Sequence, residues 1–121
     1  AAVNLMDALH NDKRDIQTLN VPNGRTLDFL PPDAVIEVNC VVTGLGPIPL
    51  PVSVVPEQAK GLIAAVKSYE RLTIEAALTG DRSIALQAMA SHPLVPSVST
   101  AKALLNEMLE QNREYLPAFF R

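Results

Sequence analysis

The stretch over residues 56–79, PEQAKGLIAAVKSYERLTIEAALT, constrains this chain more than any other. Residues suited to a buried face recur at Ala59, Leu62, Ile63, Val66, Tyr69, Leu72, Thr73, Ala76 and Ala77. That spacing predicts one long helix with a broad buried stripe. Pro56 suits the first helical position, where a missing N–H is no loss. Glu57 falls beside the positive end of the helix dipole, and Gly80 follows as a C-cap. At 1.5 Å per residue such a helix is about 36 Å long, enough to cross a small domain. The residues before it read as strand and turn, and those after it as more helix. The predicted fold class is therefore α+β, a small mixed or antiparallel sheet packed against long helices.

Length and charge narrow the partners. A chain of 121 residues is expected to form a single domain over residues 1–121. Charged residues make up 19% and the net charge is -3, which argues against a nucleic-acid partner, since a phosphate-binding face needs a basic patch. No apolar run is long enough to span a membrane, and no basic stretch followed by an apolar run marks a leader, so the expected location is cytoplasmic. A single cysteine, Cys40, excludes an internal disulfide and a cysteine-based zinc cluster. The chain opens without Met and already in helical pattern, with Ala2, Leu5, Met6 and Leu9 on one face. A processing boundary is one reading. The reading adopted is that the chain is the tail of a larger protein.

The order of elements follows from local signals. A first helix is expected over residues 1–11, broken at His10-Asn11-Asp12. RDIQTLNV alternates as a strand, with Ile16, Thr18 and Asn20 on one side and Gln17, Leu19 and Val21 on the other. Pro22-Asn23-Gly24 is a turn. Residues 34–43, AVIEVNCVVT, form the clearest strand: Ile36, Val38, Cys40 and Val42 face a core, and Glu37 and Asn39 sit on the other face. That polar pair either borders solvent or lines a site. Residues 48–52 carry Pro49 and Pro51 and are expected at a sheet edge. Two further helices are expected, one capped by Asp81 and ending at Ser91, one capped by Ser97 or Ser99 and reaching Glu114. The apolar tail YLPAFFR must dock on its own domain or on another chain.

Candidate chemistry is sparse. His10 with Asp7 and Asp12 has the composition of a metal or acid–base cluster, but a His at a helix C-terminus is also simply favourable there. His92 before Pro93 reads as a stop signal, and Cys40 as a buried, inert thiol. NDKRD, residues 11–15, is the densest polar group and joins a helix to a strand. Lys13 or Arg14 there could hold a phosphate by charge-assisted hydrogen bonds, or the run could be a solvated loop. Asn20, Asn23 and Arg25 form a second polar cluster with the same ambiguity. Gly44-x-Gly46 lacks the third glycine and the following helix of a dinucleotide loop and reads as a turn.

The segments HNDKRDIQTLNVPNG, LPPDAVIEVNCVVTGLGPIPL and KSYERLTIEAALTGDRSIALQAMASHPLVPS, in that order, resemble the C-terminal part of family 4 glycoside hydrolases, nearest the 6-phospho-β-glucosidases. The resemblance covers nearly the whole chain. It implies a fold similar to the lactate and malate dehydrogenases, of which this chain has the latter part of the second domain and lacks the Rossmann domain. It also implies a parent enzyme that uses NAD and a divalent metal, commonly manganese, to hydrolyse a phosphorylated disaccharide by oxidation, elimination, addition and reduction. The family's metal-binding Cys and His lie upstream, and its catalytic tyrosine lies just before the segment that opens this chain. Cys40, His10, Tyr69 and Tyr115 do not stand in for them. The resemblance leaves Asn11, Arg14, Asn20 and Asn23 as candidates for shaping the sugar-phosphate pocket. It implies a chain with no catalytic, metal or cofactor-binding residue of its own, inactive alone, and a homodimer or higher homo-oligomer with helices at the contact. A family 4 α-glucosidase or α-galactosidase parent, and a standalone interaction domain with no enzymatic parent, are the alternatives.

Overall fold

A nine-residue strand, β2 (Val35–Thr43), is the middle of a three-stranded antiparallel sheet in the computed structural model, which describes residues 2–121. Its neighbours are β1 (Ile16–Pro22) and β3 (Gly46–Pro49), in the order β1-β2-β3. Alternation decides the faces. Ile36, Cys40 and Val42 are buried together with Val21 of β1, as the period of two requires. The opposite face pairs Thr18 with Asn39 and Asn20 with Glu37. Helix α1 (Ala2–His10) packs on β2 and buries Ala8. Ala1, where a helical start was expected, lies outside the described residues.

Two boundaries differ from expectation. β3 begins at Gly46 because a two-residue turn, Gly44 and Leu45, brings Gly46 opposite Thr43. It stops at Pro49, after which the Leu50 N–H donates to the Asn39 carbonyl at 2.8 Å and the ladder ends. Pro47 and Pro49 are tolerated because β3 is an edge strand, as the prolines predict.

The chain divides into two compact units, the sheet unit up to Val55 and a helical unit from Pro56 to Arg121. The helical unit contains α2 (Glu57–Thr79), α3 (Arg82–Ser91), α4 (Val98–Gln111) and a 3-10 turn, η1 (Pro117–Phe120). Pro56 is the N-cap of α2 rather than its first residue. Asp81 caps α3 by accepting from the Ser83 and Ile84 N–H groups, and Ser97 caps α4 by accepting from Thr100. Helix α4 ends at Gln111, short of Glu114, with Asn112 as its C-cap, whose side-chain amide donates to the Met108 carbonyl at 2.8 Å.

The broad stripe of α2 is only partly covered. Ala76 is its one fully buried residue among those described, and Leu62 is 55% exposed. The ten residues of α3 are too short to cover the twenty-three of α2. The helices instead meet through small residues, Ala76, Ala85, Ala88 and Ala101, beside an apolar cleft of about 420 Å³. The apolar tail docks within this unit. Phe119 lines the cleft, and Phe120 lies 4.1 Å from the Arg113 guanidinium and 5.2 Å from that of Arg82.

Gly80 joins helix end and tail. It ends α2 at φ 73°, and a Cβ there would fall 2.3 Å from the Ala118 carbonyl oxygen. Gly80→Ala is expected to destabilise the helical unit by about 1–3 kcal/mol, from left-handed strain plus displacement of the tail. Urea unfolding followed by far-UV circular dichroism checks it, and an unchanged midpoint would show that the tail does not seat on this cap.

Candidate functional site

The polar run NDKRD forms a tight corner between α1 and β1. Asp12 and Arg14 are the two non-glycine residues with positive φ among those described, at 46° and 57°. Asp adopts this region at modest cost; Arg does so rarely. The corner is held by carboxylates. Asp7 accepts from the Asn11 amide at 2.6 Å and pairs with the Lys13 ammonium. Those bonds, Lys13 first, hold its carboxyl below the usual range. Asp12 bridges two partners. Its Oδ1 accepts from the Gly44 N–H at 2.8 Å, and its Oδ2 lies 3.3 Å from Arg14 Nε. The Gly44 bond is the main cause that lowers the Asp12 carboxyl, with Arg14 adding to it.

The four sequence candidates part company here. Asn11 and Arg14 share the corner, both exposed. Asn20 lies on the outer sheet face opposite Glu37. Asn23 lies past the far end of β1, roughly 20 Å of strand from the corner, and its side chain is turned inward. It is 1% exposed; its amide donates to the carbonyls of Leu27, Leu30 and Pro31 at 2.9, 3.0 and 3.2 Å. Its Oδ1 accepts from the Leu27 N–H at 2.8 Å. Asn23 thus shapes the loop that delivers the chain into β2, and its polar atoms are occupied by backbone.

The outer face has its own relief. Thr18 Oγ1 donates to Asn39 Oδ1 at 2.7 Å, and a cleft of about 420 Å³ opens between Thr18, Glu37, Asn39 and residues 50–53. A second hollow, lined by Asn23, Arg25 and Thr26, shares Leu50, Pro51 and Val52 with it. The polar pair on this face therefore makes one structural hydrogen bond and borders a cleft.

The remaining candidates are structural. Cys40 is buried, and desolvation pushes its thiol up, away from the reactive thiolate. His92 ends α3, accepts from the Leu94 N–H at Nδ1, and stands edge-on to the Tyr69 ring at 4.5 Å. His10 is exposed at the end of α1. Among the described residues no group of three or more His, Cys, Asp and Glu side chains is placed to hold a metal ion. No described helix is long and apolar enough to cross a membrane. The residue that sequence reasoning undervalued is Gly44, which it read as a turn alone. Its bond to Asp12 spans 32 positions and leaves no local signal.

Comparison with known proteins gives this geometry a context. Residues 1–95 match the family 4 glycosyl hydrolase C-terminal domain. The chain belongs to this family. It is 48% identical over 120 residues to the "Probable 6-phospho-beta-glucosidase" of Bacillus subtilis (strain 168), covering 99% of this chain and 27% of that protein. It is 43% identical to 6-phospho-beta-glucosidase BglT of Thermotoga maritima over 96% of this chain and 28% of that one. The Thermotoga structure, solved with manganese, NAD+ and glucose-6-phosphate, superposes with a TM-score of 0.85. A 6-phospho-alpha-glucosidase from gut microorganisms, solved with NAD and glucose-6-phosphate, is 36% identical with a TM-score of 0.88, over 95% of this chain and 26% of that one. The α+β fold is that of these family 4 enzymes. The chain spans about a quarter of the length of the relatives it matches.

Two outcomes follow from the site. Asn23→Ala strands the Leu27 N–H and the Leu30 carbonyl, while the Leu27 and Pro31 carbonyls keep the Leu30 and Ala34 N–H groups, and is expected to cost roughly 2–4 kcal/mol in urea unfolding; a loss under about 1 kcal/mol would mean that water replaces the amide. Asp7 and Asp12, with folded pKa values lowered, contribute fully above about pH 4 and lose that contribution as pH falls through those lowered values. Carboxyl NMR titration is expected to place both midpoints below about 3.9, and an Asp12 midpoint at or above that value would rule out the Gly44 bond in solution.

Proposed function

We propose that this chain is the C-terminal, substrate-shaping and oligomer-forming portion of a 6-phospho-β-glucosidase. The observation that carries the reading is identity: 48% and 43% to two proteins named 6-phospho-beta-glucosidase, against 36% to an α-named enzyme of known structure, with a further β-named relative at 32%. The proposed parent hydrolyses 6-phospho-β-glucosides with NAD and manganese in the cytoplasm. Those cofactors do not fit the residues present here. The chain offers no glycine-rich dinucleotide loop, and its described carboxylates, histidines and cysteine form no metal set. The proposal assigns them to the rest of the parent, and the 121 residues act as one domain of it.

The contribution of this chain is then binding and placement. Arg14 is the candidate for the phosphate of the substrate. Its guanidinium is exposed at the corner, Nε faces Asp12, and its terminal nitrogens carry no hydrogen bond to the described residues. A planar fork of that kind matches phosphate oxygens. Asn11 stands beside it on Asp7, Asn20 contributes on the outer face, and Asn23 acts through the loop it fixes. Self-association through the helical unit is supported by Leu62, Ile74 and Leu78 of α2, which are 55%, 60% and 82% exposed.

The test compares the isolated chain with the full-length protein that carries it, on chromogenic 6-phospho-β- and 6-phospho-α-glucosides with NAD, manganese and reductant. Turnover of the β-substrate by the full-length protein alone is expected. Preference for the α-anomer would move the parent to the other branch, and metal-dependent turnover by the isolated chain would remove the claim of incompleteness. Light scattering on the full-length protein is expected to show a dimer or larger, and a strict monomer would remove the oligomer role.

A further inference from the structure

We infer that Asp12 is a positioning residue that sets the orientation of the Arg14 guanidinium for phosphate by anchoring it to the β2–β3 turn. The inference rests on the proposed phosphate role of Arg14. Asp12 divides its two oxygens between two jobs. Oδ1 takes the Gly44 N–H at 2.8 Å, which fixes the carboxylate to the hairpin, and Oδ2 faces Arg14 Nε at 3.3 Å. The approach of corner and hairpin is close. A Cβ on Gly44 would stand 3.5 Å from Asp12 Cβ and from the Leu9 carbonyl oxygen. Both Asp12 and Arg14 hold left-handed backbone, so the short path between them is itself fixed.

The neighbouring cation behaves differently. Lys13 pairs with Asp7 on α1. Arg14 is gripped at Nε only, which leaves a two-nitrogen fork for a ligand. The Asp12–Arg14 pair is exposed, with side chains 48% and 71% accessible, so it adds little to stability. Its consequence is geometry, and geometry reads out in binding rather than in melting.

The sign of the effect separates positioning from plain electrostatics. Asp12 puts a negative charge beside a proposed anion site, so charge removal alone would tighten phosphate binding. Loss of positioning would weaken it. The experiment is calorimetric binding of glucose 6-phosphate to the full-length protein at about 0.15 M salt, for Asp12→Asn, Arg14→Met and the double variant. Asp12→Asn keeps an oxygen for Gly44 and removes the charge that holds Arg14. Expected are a Kd raised about 3–10-fold by Asp12→Asn, a larger rise for Arg14→Met, and a double variant no worse than Arg14→Met alone. Tighter or unchanged binding in Asp12→Asn, or additive losses in the double variant, would overturn the inference while leaving the role of Arg14 intact. An Arg14→Met variant that binds normally would remove the phosphate reading itself, and the inference with it.

Discussion

The sheet unit depends on β2 being paired along both edges while one of its faces is buried. A strand in that position cannot slip by one residue without turning Ile36, Cys40 and Val42 to solvent and Glu37 and Asn39 to the core. Two polar residues guard its ends. Asn23 ties up the loop at its entry with a buried amide, and Asp12 takes the Gly44 N–H just beyond its exit. Register, loop and corner are therefore one constraint. The side chains exposed at the corner inherit their placement from a strand that is itself fixed by burial.

Features set by local chemistry were legible in the sequence. The alternation of β2, the Asp81 and Ser97 caps, the Gly80 stop and the edge position of the proline-rich segment each follow from a few adjacent residues, and each is present. Features set by partners distant in sequence were not. Asn23 reads as a turn residue of a polar cluster around Pro22-Asn23-Gly24, yet it is buried because the carbonyls of Leu27, Leu30 and Pro31 fold over it. The stripe on α2 has the right period, but a period states which face is apolar and not how much of it a neighbour covers. The short α3 leaves much of that face exposed. At the site, residue types and the corner were readable; the 32-residue reach from Asp12 to Gly44 was not.

The helical unit shows how small residues govern packing. Ala76, Ala85, Ala88 and Ala101 let helices approach closely, but they bring little volume with them. Larger side chains, Tyr69, Met89 and Phe119, then surround an apolar cleft instead of closing it. The tail completes one wall because Gly80 has no Cβ to hold it off, and the Phe120 ring is contacted by the guanidinium groups of Arg82 and Arg113. One backbone position thus serves both as helix stop and as tail seat.

At the corner, fixed backbone and weak ion pairs are complementary. Exposed pairs such as Lys13 with Asp7 and Arg14 with Asp12 are screened by solvent and salt, so they cannot by themselves hold a loop in a left-handed conformation. Bonds from backbone N–H groups do that: Asn11 N–H to the Asp7 carbonyl, Lys13 N–H to the Ala8 carbonyl, and Gly44 N–H to the Asp12 side-chain carboxylate. On that fixed path the weak pair with Asp12 gives the guanidinium one directed contact, at Nε. An arginine held this way meets a ligand with less conformational freedom to lose, and the gain is realised only on binding.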